Sequence, residues 1–168
     1  MAARADYIER LNEAAARTHG DIAREREKLS IAYAPNVADG DLRAALLRTR
    51  EVDARRMTTS AGVHRDDVRF CVDGRELRLF GSQGQQRTAA LSLKLSELAL
   101  LTEEKGEPPV LLLDDVLSEL DEPRQRALLE AMRDCQCFLT CTSLAGLERA
   151  GMTGIHAYAC ERGTLREL

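Results

Sequence analysis

Phe80-Gly81-Ser82-Gln83-Gly84-Gln85-Gln86-Arg87 is a glycine-bearing stretch directly before a run of helix-forming residues. Glycine lets the backbone approach an anion closely, and the N–H groups and dipole at a helix start attract phosphate. Ser82 adds a hydroxyl donor. An ordinary turn followed by a helix cap has the same pattern. Further along, Pro109-Val110-Leu111-Leu112-Leu113-Asp114-Asp115 is an apolar strand pattern ending in two carboxylates. That places them at the carboxyl edge of a sheet, where α/β proteins bind ligands. Asp114 is suited to position magnesium, directly or through water, and Asp115 to polarise an attacking water. Taken alone, the pair also reads as a solvent-exposed strand end. Ser118-Glu119-Leu120-Asp121 follows closely. Asp121-Glu122-Pro123 makes a good helix start, so any chemical meaning comes from its position after the aspartates.

These residues need elements to hold them. Gln85 to Leu101 is rich in Ala and Leu nearly all round, which predicts a largely buried helix, stopped by Gly106-Glu107-Pro108-Pro109. Val110 to Leu113 reads as a buried strand, Glu122 to Asp134 as a helix and Cys137 to Cys141 as another strand. Such alternation predicts an α/β sheet with parallel members. Upstream, Asp73-Gly74 predicts a hairpin turn between strands Val68 to Val72 and Glu76 to Phe80. Tyr7, Leu11, Ala14 and Ile22 mark an amphipathic helix over residues 4 to 27, and Leu29, Ile31 and Tyr33 alternate as a strand closed by Pro35. Asp41 caps a further helix, with Leu42, Ala45, Leu46, Thr49 and Val52 as its stripe, ending near Arg55. The change of pattern puts a boundary near Met57.

Composition narrows the class. With 44% hydrophobic and 31% charged residues, the 168-residue chain is long enough for an ordinary core and falls in the soluble globular class. A net charge of −4 argues against a dedicated basic nucleic-acid module. The acidic excess lies beyond residue 70, whereas Arg43, Arg48, Arg50, Arg55 and Arg56 cluster before it. These arginines supply phosphate contacts if they share a surface, and otherwise form a solvated helix face. Five cysteines without C-x-x-C spacing argue against a zinc site or disulfide framework and are read as small buried hydrophobes in a reducing compartment. His19 and His156 have no ligand partners near them in sequence and receive no role. No apolar run, Val110 to Leu113 included, exceeds four residues, far short of the roughly 20 residues of a membrane helix. The charged start lacks a secretory pattern, so the expectation is cytoplasmic with no membrane partner.

In this order the three motifs resemble the ABC and SMC-like ATPase family, in which a signature loop, a magnesium-site strand and a D-loop follow one another. Ser82, Gly84 and Gln85 match the signature serine, second glycine and glutamine, Gln83 replaces the first glycine, and Gln86 continues the segment. Asp114 matches the magnesium aspartate, and Asp115 stands where most members carry a catalytic glutamate. Ser118 to Asp121 match the D-loop, and Thr142 occupies the position of the switch histidine. Finer details resemble the RecF branch: Ser82 through Leu95, Leu111 through Asp121, and His64-Arg65-Asp66-Asp67, which here follows Gly62-Val63 instead of Gly-Pro. The resemblance covers nearly the whole chain and is strongest from Gly62 to Leu129.

The resemblance implies an α/β fold, the carboxyl-terminal part of an ABC-type ATPase head with a partial helical arm. Residues 1–56 would end the arm and residues 57–168 would belong to the head. It implies ATP and Mg2+ as ligands, with Asp114 at the metal, Asp115 catalytic, and Ser82, Gln83, Gly84, Gln85 and Gln86 contacting ATP held by the partner head. Ser118 and Asp121 would serve as the D-loop and Thr142 as the switch position. It further implies an ATP-dependent homodimer in DNA replication and recombinational repair, acting at single-strand gaps and single-strand/duplex junctions with RecR- and RecO-type mediators to load the RecA recombinase. Arg48, Arg55 and Arg56 are the candidate DNA contacts. No G-x-x-x-x-G-K-[ST] phosphate loop occurs in the chain. In the family that motif lies in the amino-terminal half, so this segment is expected to be inactive alone. The rival readings are another SMC-like or ABC head, whose long heptad arms the segment 1–56 is too short to supply, and a binding module without catalysis.

Overall fold

The computed structural model describes residues 2–37, 40–149 and 151–168. They form two compact units, Met1–Pro109 and Val110–Leu168.

In the first unit, helix α1 (Ala2–Ala23) leads into strand β1 (Leu29–Ala34), then helix α2 (Leu42–Arg56), a 3-10 turn (Val63–Arg65), strands β2 (Asp67–Val72) and β3 (Arg75–Glu76), a short helix α3 (Leu77–Phe80) and the long helix α4 (Gln83–Lys105). The sheet is antiparallel in the order β1-β2-β3, with Leu29 opposite Val72 and Ala34 opposite Asp67. Leu29 and Ile31 are buried while Ser30 is exposed, the alternation of a half-buried strand. They join Leu11, Ala14 and Ala15 of α1, Val72, Leu77, and Ala89 and Leu100 of α4 in one apolar core. Where α4 meets α1, Thr88, Ser92 and Ser96 are buried at four-residue spacing, and each hydroxyl donates to the carbonyl one turn back. Small residues at that spacing let the helices approach closely while satisfying their own polar groups.

α1 and β1 share their core with β2 and α4, and the compact units divide after Pro109. Three local expectations change. The second hairpin arm pairs only at Arg75–Glu76. Beyond it the chain closes into α3 as Leu77 is buried, Gly81 N–H donates to Leu77 O at 2.9 Å, and the Arg75 guanidinium lies 5.1 Å from the Phe80 ring centre. The stripe expected on α2 buries only Ala45, which packs with Val37, Ala61 and Leu42, whereas Leu46 and Val52 stay exposed. None of the cysteines is fully buried and Cys160 is exposed, so they are not the core hydrophobes anticipated. The hairpin turn follows the Asp-Gly expectation, with Asp73 at φ 51° and Gly74 at φ 77°.

The second unit contains strand β4 (Leu111–Asp114), a 3-10 turn (Val116–Glu119), helix α5 (Glu122–Ala131), strand β5 (Cys137–Thr140), a short helix α6 (Ala145–Arg149) and a hairpin of β6 (Tyr158–Glu161) and β7 (Thr164–Glu167). β4 and β5 pair in parallel, as the strand-helix-strand pattern predicts. The β6–β7 hairpin was not anticipated; its sequence signal is Arg162-Gly163, both at positive φ, between short alternating segments. No helix among the described residues is long and apolar enough to cross a membrane.

Candidate nucleotide site

The loop before α4 is an ordered helix start. Ser82 is its N-cap: the hydroxyl oxygen accepts from Gln85 N–H at 3.2 Å, and the Gln85 side-chain oxygen accepts from Ser82 N–H at 2.9 Å. This reciprocal capping box satisfies two donors that a helix end otherwise leaves without a carbonyl. It leaves the Ser82 hydroxyl its hydrogen, on an exposed residue, for an outside acceptor. The Gln85 side chain also ties the loop to the α1–β1 connection, its Nε2 donating to Glu27 Oε1 at 3.1 Å. Gln86 closes the turn from the other side by donating to Gly81 O at 3.2 Å. Gln83 is the first helical residue and Gly84 the second.

In the second unit the two aspartates stand at the carboxyl end of β4. Asp114 is the last strand residue, and Asp115 turns the chain in the left-handed region at φ 47° and ψ 26°. Such a conformation is uncommon for a non-glycine residue and recurs where a side chain must be aimed. Both aspartates are exposed. Thr140, the last residue of β5, lies opposite Asp114 in the parallel register. Its hydroxyl donates to Asp114 Oδ1 and its oxygen accepts from Asp115 N–H at 3.0 Å. Ser118 Oγ donates to Asp115 O at 2.9 Å. Asp121 caps α5, accepting from Arg124 N–H at 3.2 Å and ion-pairing with the Arg124 guanidinium. Gln125 Nε2 donates to Leu117 O at 2.8 Å and Leu120 O at 3.0 Å, fastening the intervening turn to α5. Thr142 is exposed beyond the end of β5. It is thus Thr140 that touches the aspartates, a residue that sequence reasoning missed; the available signal was a hydroxyl closing the apolar strand Cys137-Phe138-Leu139.

The His64-Arg65-Asp66-Asp67 segment is a structural knot. The Asp66 carboxylate accepts from the Tyr33 hydroxyl, from Asn36 N–H at 3.0 Å and from Arg4 Nη1 at 2.9 Å. The Tyr33 hydrogen bond, then Asn36 N–H, hold its pKa below the usual carboxylate value, with Arg4 adding to them and burial opposing. The same contact raises the Tyr33 hydroxyl above its ordinary value. Gly62 adopts φ 146°, a backbone conformation that strains any side chain, and a Cβ there would lie 2.8 Å from the exposed His64 ring, which would have to swing aside. His64 Nε2 lies 3.3 Å from Thr59 O.

On α2, Arg48 and Arg55 are seven residues apart and share a face, as do Arg43 and Arg50; the two pairs point roughly 140° apart at about 100° per residue. All are exposed, as is Arg56.

A parallel strand ending in paired carboxylates, and a serine-capped, glycine-containing helix start elsewhere in the chain, are features of the α/β fold seen in part of an ABC-type ATPase head, and the chain superposes on such structures. Within that class the chain is a relative of the RecF proteins. It is 43% identical to the DNA replication and repair protein RecF of Shouchella clausii, covering 100% of this chain and 48% of that protein. It is 48% identical to that of Symbiobacterium thermophilum, over 86% of this chain and 42% of the relative. The solved structure of the recombination mediator protein RecF-ATPrS in the RecFOR pathway superposes with a TM-score of 0.82 at 35% identity, covering 99% of this chain and 46% of that one. The RecF-ATP structure gives 0.80 at 36% identity, over 99% and 47%. No protein-family model matches the chain. The chain spans about half the length of the curated relatives it matches, in keeping with the carboxyl-terminal half expected from its motifs.

Proposed function

We propose that this chain supplies one half of the ATP machinery of a RecF-type DNA replication and repair ATPase. The observation that carries this reading is the Asp114–Asp115 pair at the end of β4, exposed and oriented by Thr140. Mg2+ prefers oxygen ligands and is commonly held by one or two carboxylates together with phosphates and water. The donor set fits: Asp114 offers an exposed, hard carboxylate oxygen at the strand end. When bound, the ion would neutralise charge developing on the phosphates. Asp115 would accept the proton of the water that attacks the γ-phosphorus as the bond to the ADP oxygen breaks.

In this reading Ser82 and the first turn of α4 face a γ-phosphate held by the phosphate loop of a second head. The hydroxyl and N–H groups complete an electrostatic cradle, and ATP joins the two heads until hydrolysis releases them. Gln85 builds the loop through one hydrogen bond at each end of its amide, which leaves it a second N–H donor to offer the nucleotide beside Gln83, Gly84 and Gln86. Ser118 and Asp121 shape the turn after the catalytic aspartate, and Thr142 flanks the site without a charge. Likeness to RecF supports action at single-strand gaps and junctions with RecR- and RecO-type mediators, ahead of RecA loading, in the cytoplasm. Arg48, Arg55 and Arg56 are the proposed DNA contacts.

The test is magnesium-dependent ATP hydrolysis by the chain alone and with an amino-terminal half bearing the phosphate loop, with and without gapped DNA. Turnover only in the mixture, lost on Asp115→Asn, supports the reading. Turnover by the chain alone that survives Asp115→Asn refutes it.

A further inference from the structure

Between α1 and β1 the backbone turns through two consecutive left-handed residues, Arg24 at φ 55° and Glu25 at φ 57°. The segment that follows carries Glu27, whose carboxylate reaches two different helices. Its Oε1 accepts from Gln85 Nε2 at 3.1 Å on α4, and its Oε2 lies 3.6 Å from His19 Nε2 on α1. Glu27 is itself held in place from behind. Lys28 N–H donates to Asp73 Oδ1 at 3.0 Å and Asp73 N–H donates back to Lys28 O at 3.0 Å, clamping this stretch to the β2–β3 turn.

His19 is wholly buried beside the hydroxyl ladder of α4. Its Nδ1 lies 3.1 Å from Ser92 Oγ, whose single hydrogen is given to Thr88 O at 2.7 Å. The serine oxygen therefore accepts, and the ring hydrogen sits on Nδ1.

This arrangement determines which way the Gln85 amide faces. With Nε2 donating to Glu27, the amide oxygen is turned to accept from Ser82 N–H, which closes the capping box. A flipped amide would set its oxygen against the carboxylate and an N–H2 group against the Ser82 N–H. We infer that Glu27 is a positioning residue for the Ser82 loop: acting through Gln85, it sets the direction in which the Ser82 hydroxyl and the first turn of α4 are offered to phosphate. Two helices far apart in sequence are thereby coupled at the mouth of the loop. The phosphate part of this inference rests on the proposed function of that loop.

The experiment compares wild type, Glu27→Ala and Glu27→Gln in the full chain. Backbone hydrogen exchange is read at Ser82, Gln85 and Leu11 to Ala15, and ATP hydrolysis is measured after mixing with the phosphate-loop half. Glu27→Ala should speed exchange at Ser82 and Gln85 by roughly fivefold to tenfold, the scale of a lost cap. Exchange in α1 should not change, and kcat should fall with little change in KM. Glu27→Gln keeps an oxygen facing Gln85 Nε2 and should restore most of both. Unchanged exchange at Ser82 and Gln85, or a rise that extends equally through α1, overturns the inference. If the wild-type mixture hydrolyses no ATP while Glu27→Ala still loosens only the capping box, positioning by Glu27 stands and the ATPase reading falls.

Discussion

Thr140 faces Asp114 across the parallel strand pair and holds it by a hydroxyl hydrogen bond, while the same oxygen accepts from Asp115 N–H at 3.0 Å. One side chain thus orients the first carboxylate and pins the turn that aims the second. Replacing it with the near-isosteric valine removes both contacts without opening a large space. Thr140→Val is expected to lower magnesium-dependent hydrolysis in the mixed halves by about tenfold or more, the scale of outer-shell losses at metal sites. Thr140→Ser should keep most of the rate. Equal rates for all three proteins would remove Thr140 from the machinery.

Asp115 combines an exposed carboxylate with a left-handed backbone. Asparagine tolerates that conformation, so Asp115→Asn should keep the fold while hydrolysis drops by about a hundredfold or more, the contribution of a general base. Asp115→Val carries a β-branched side chain into the same conformation and should destabilise the protein by roughly 1–2 kcal/mol. Thermal melting beside a steady-state assay separates the two effects; an Asp115→Asn protein that melts early but hydrolyses normally would contradict the assignment.

Asp66 ties Tyr33, Asn36 and Arg4 together in its ionised form. Its folded-state pKa is lowered, chiefly by the Tyr33 hydrogen bond and then by Asn36 N–H. Its stabilisation is therefore complete above the unfolded carboxylate value of about 4 and is lost as pH falls through the lower folded value. Melting temperature followed downward from neutrality should drop less steeply in Asp66→Asn than in wild type, with Tyr33→Phe between them. Parallel curves for the three would mean that the knot contributes no acid sensitivity.

Arg48 and Arg55 share one face of α2, with Arg56 next to Arg55 in sequence. If these side chains replace counterions on DNA, changing all three to alanine should weaken binding to gapped DNA and reduce the salt slope of log K by about 2 to 3. Fluorescence anisotropy over a salt series measures this. An unchanged slope would exclude α2 from the DNA surface.

Much of the site was legible because the signals were local. A serine ahead of a helix-forming run specifies a helix cap, Asp-Gly specifies a tight hairpin turn, and an apolar run ending in two aspartates specifies a strand edge with carboxylates. The less legible parts were those where packing outweighed local pattern. The stripe on α2 reads as buried yet exposes Leu46 and Val52, and Glu76 to Phe80 reads as a strand yet pairs only at its start because Leu77 turns into the core.

Residue order by itself determined the helix caps, the turn chemistry and the placing of Asp114 and Asp115 at the end of a strand. Each follows from interactions within a few residues, which a chain carries wherever it folds. Only the tertiary structure decided that Thr140 serves Asp114, that Glu27 serves Gln85 and that His19 is fully buried beside Ser92. Those partners lie 26, 58 and 73 positions apart in the chain. A hydrogen bond over such a separation exists only after the core of Leu11, Ala15, Ile31 and Ala89, or the parallel pairing of β4 with β5, has brought donor and acceptor within reach.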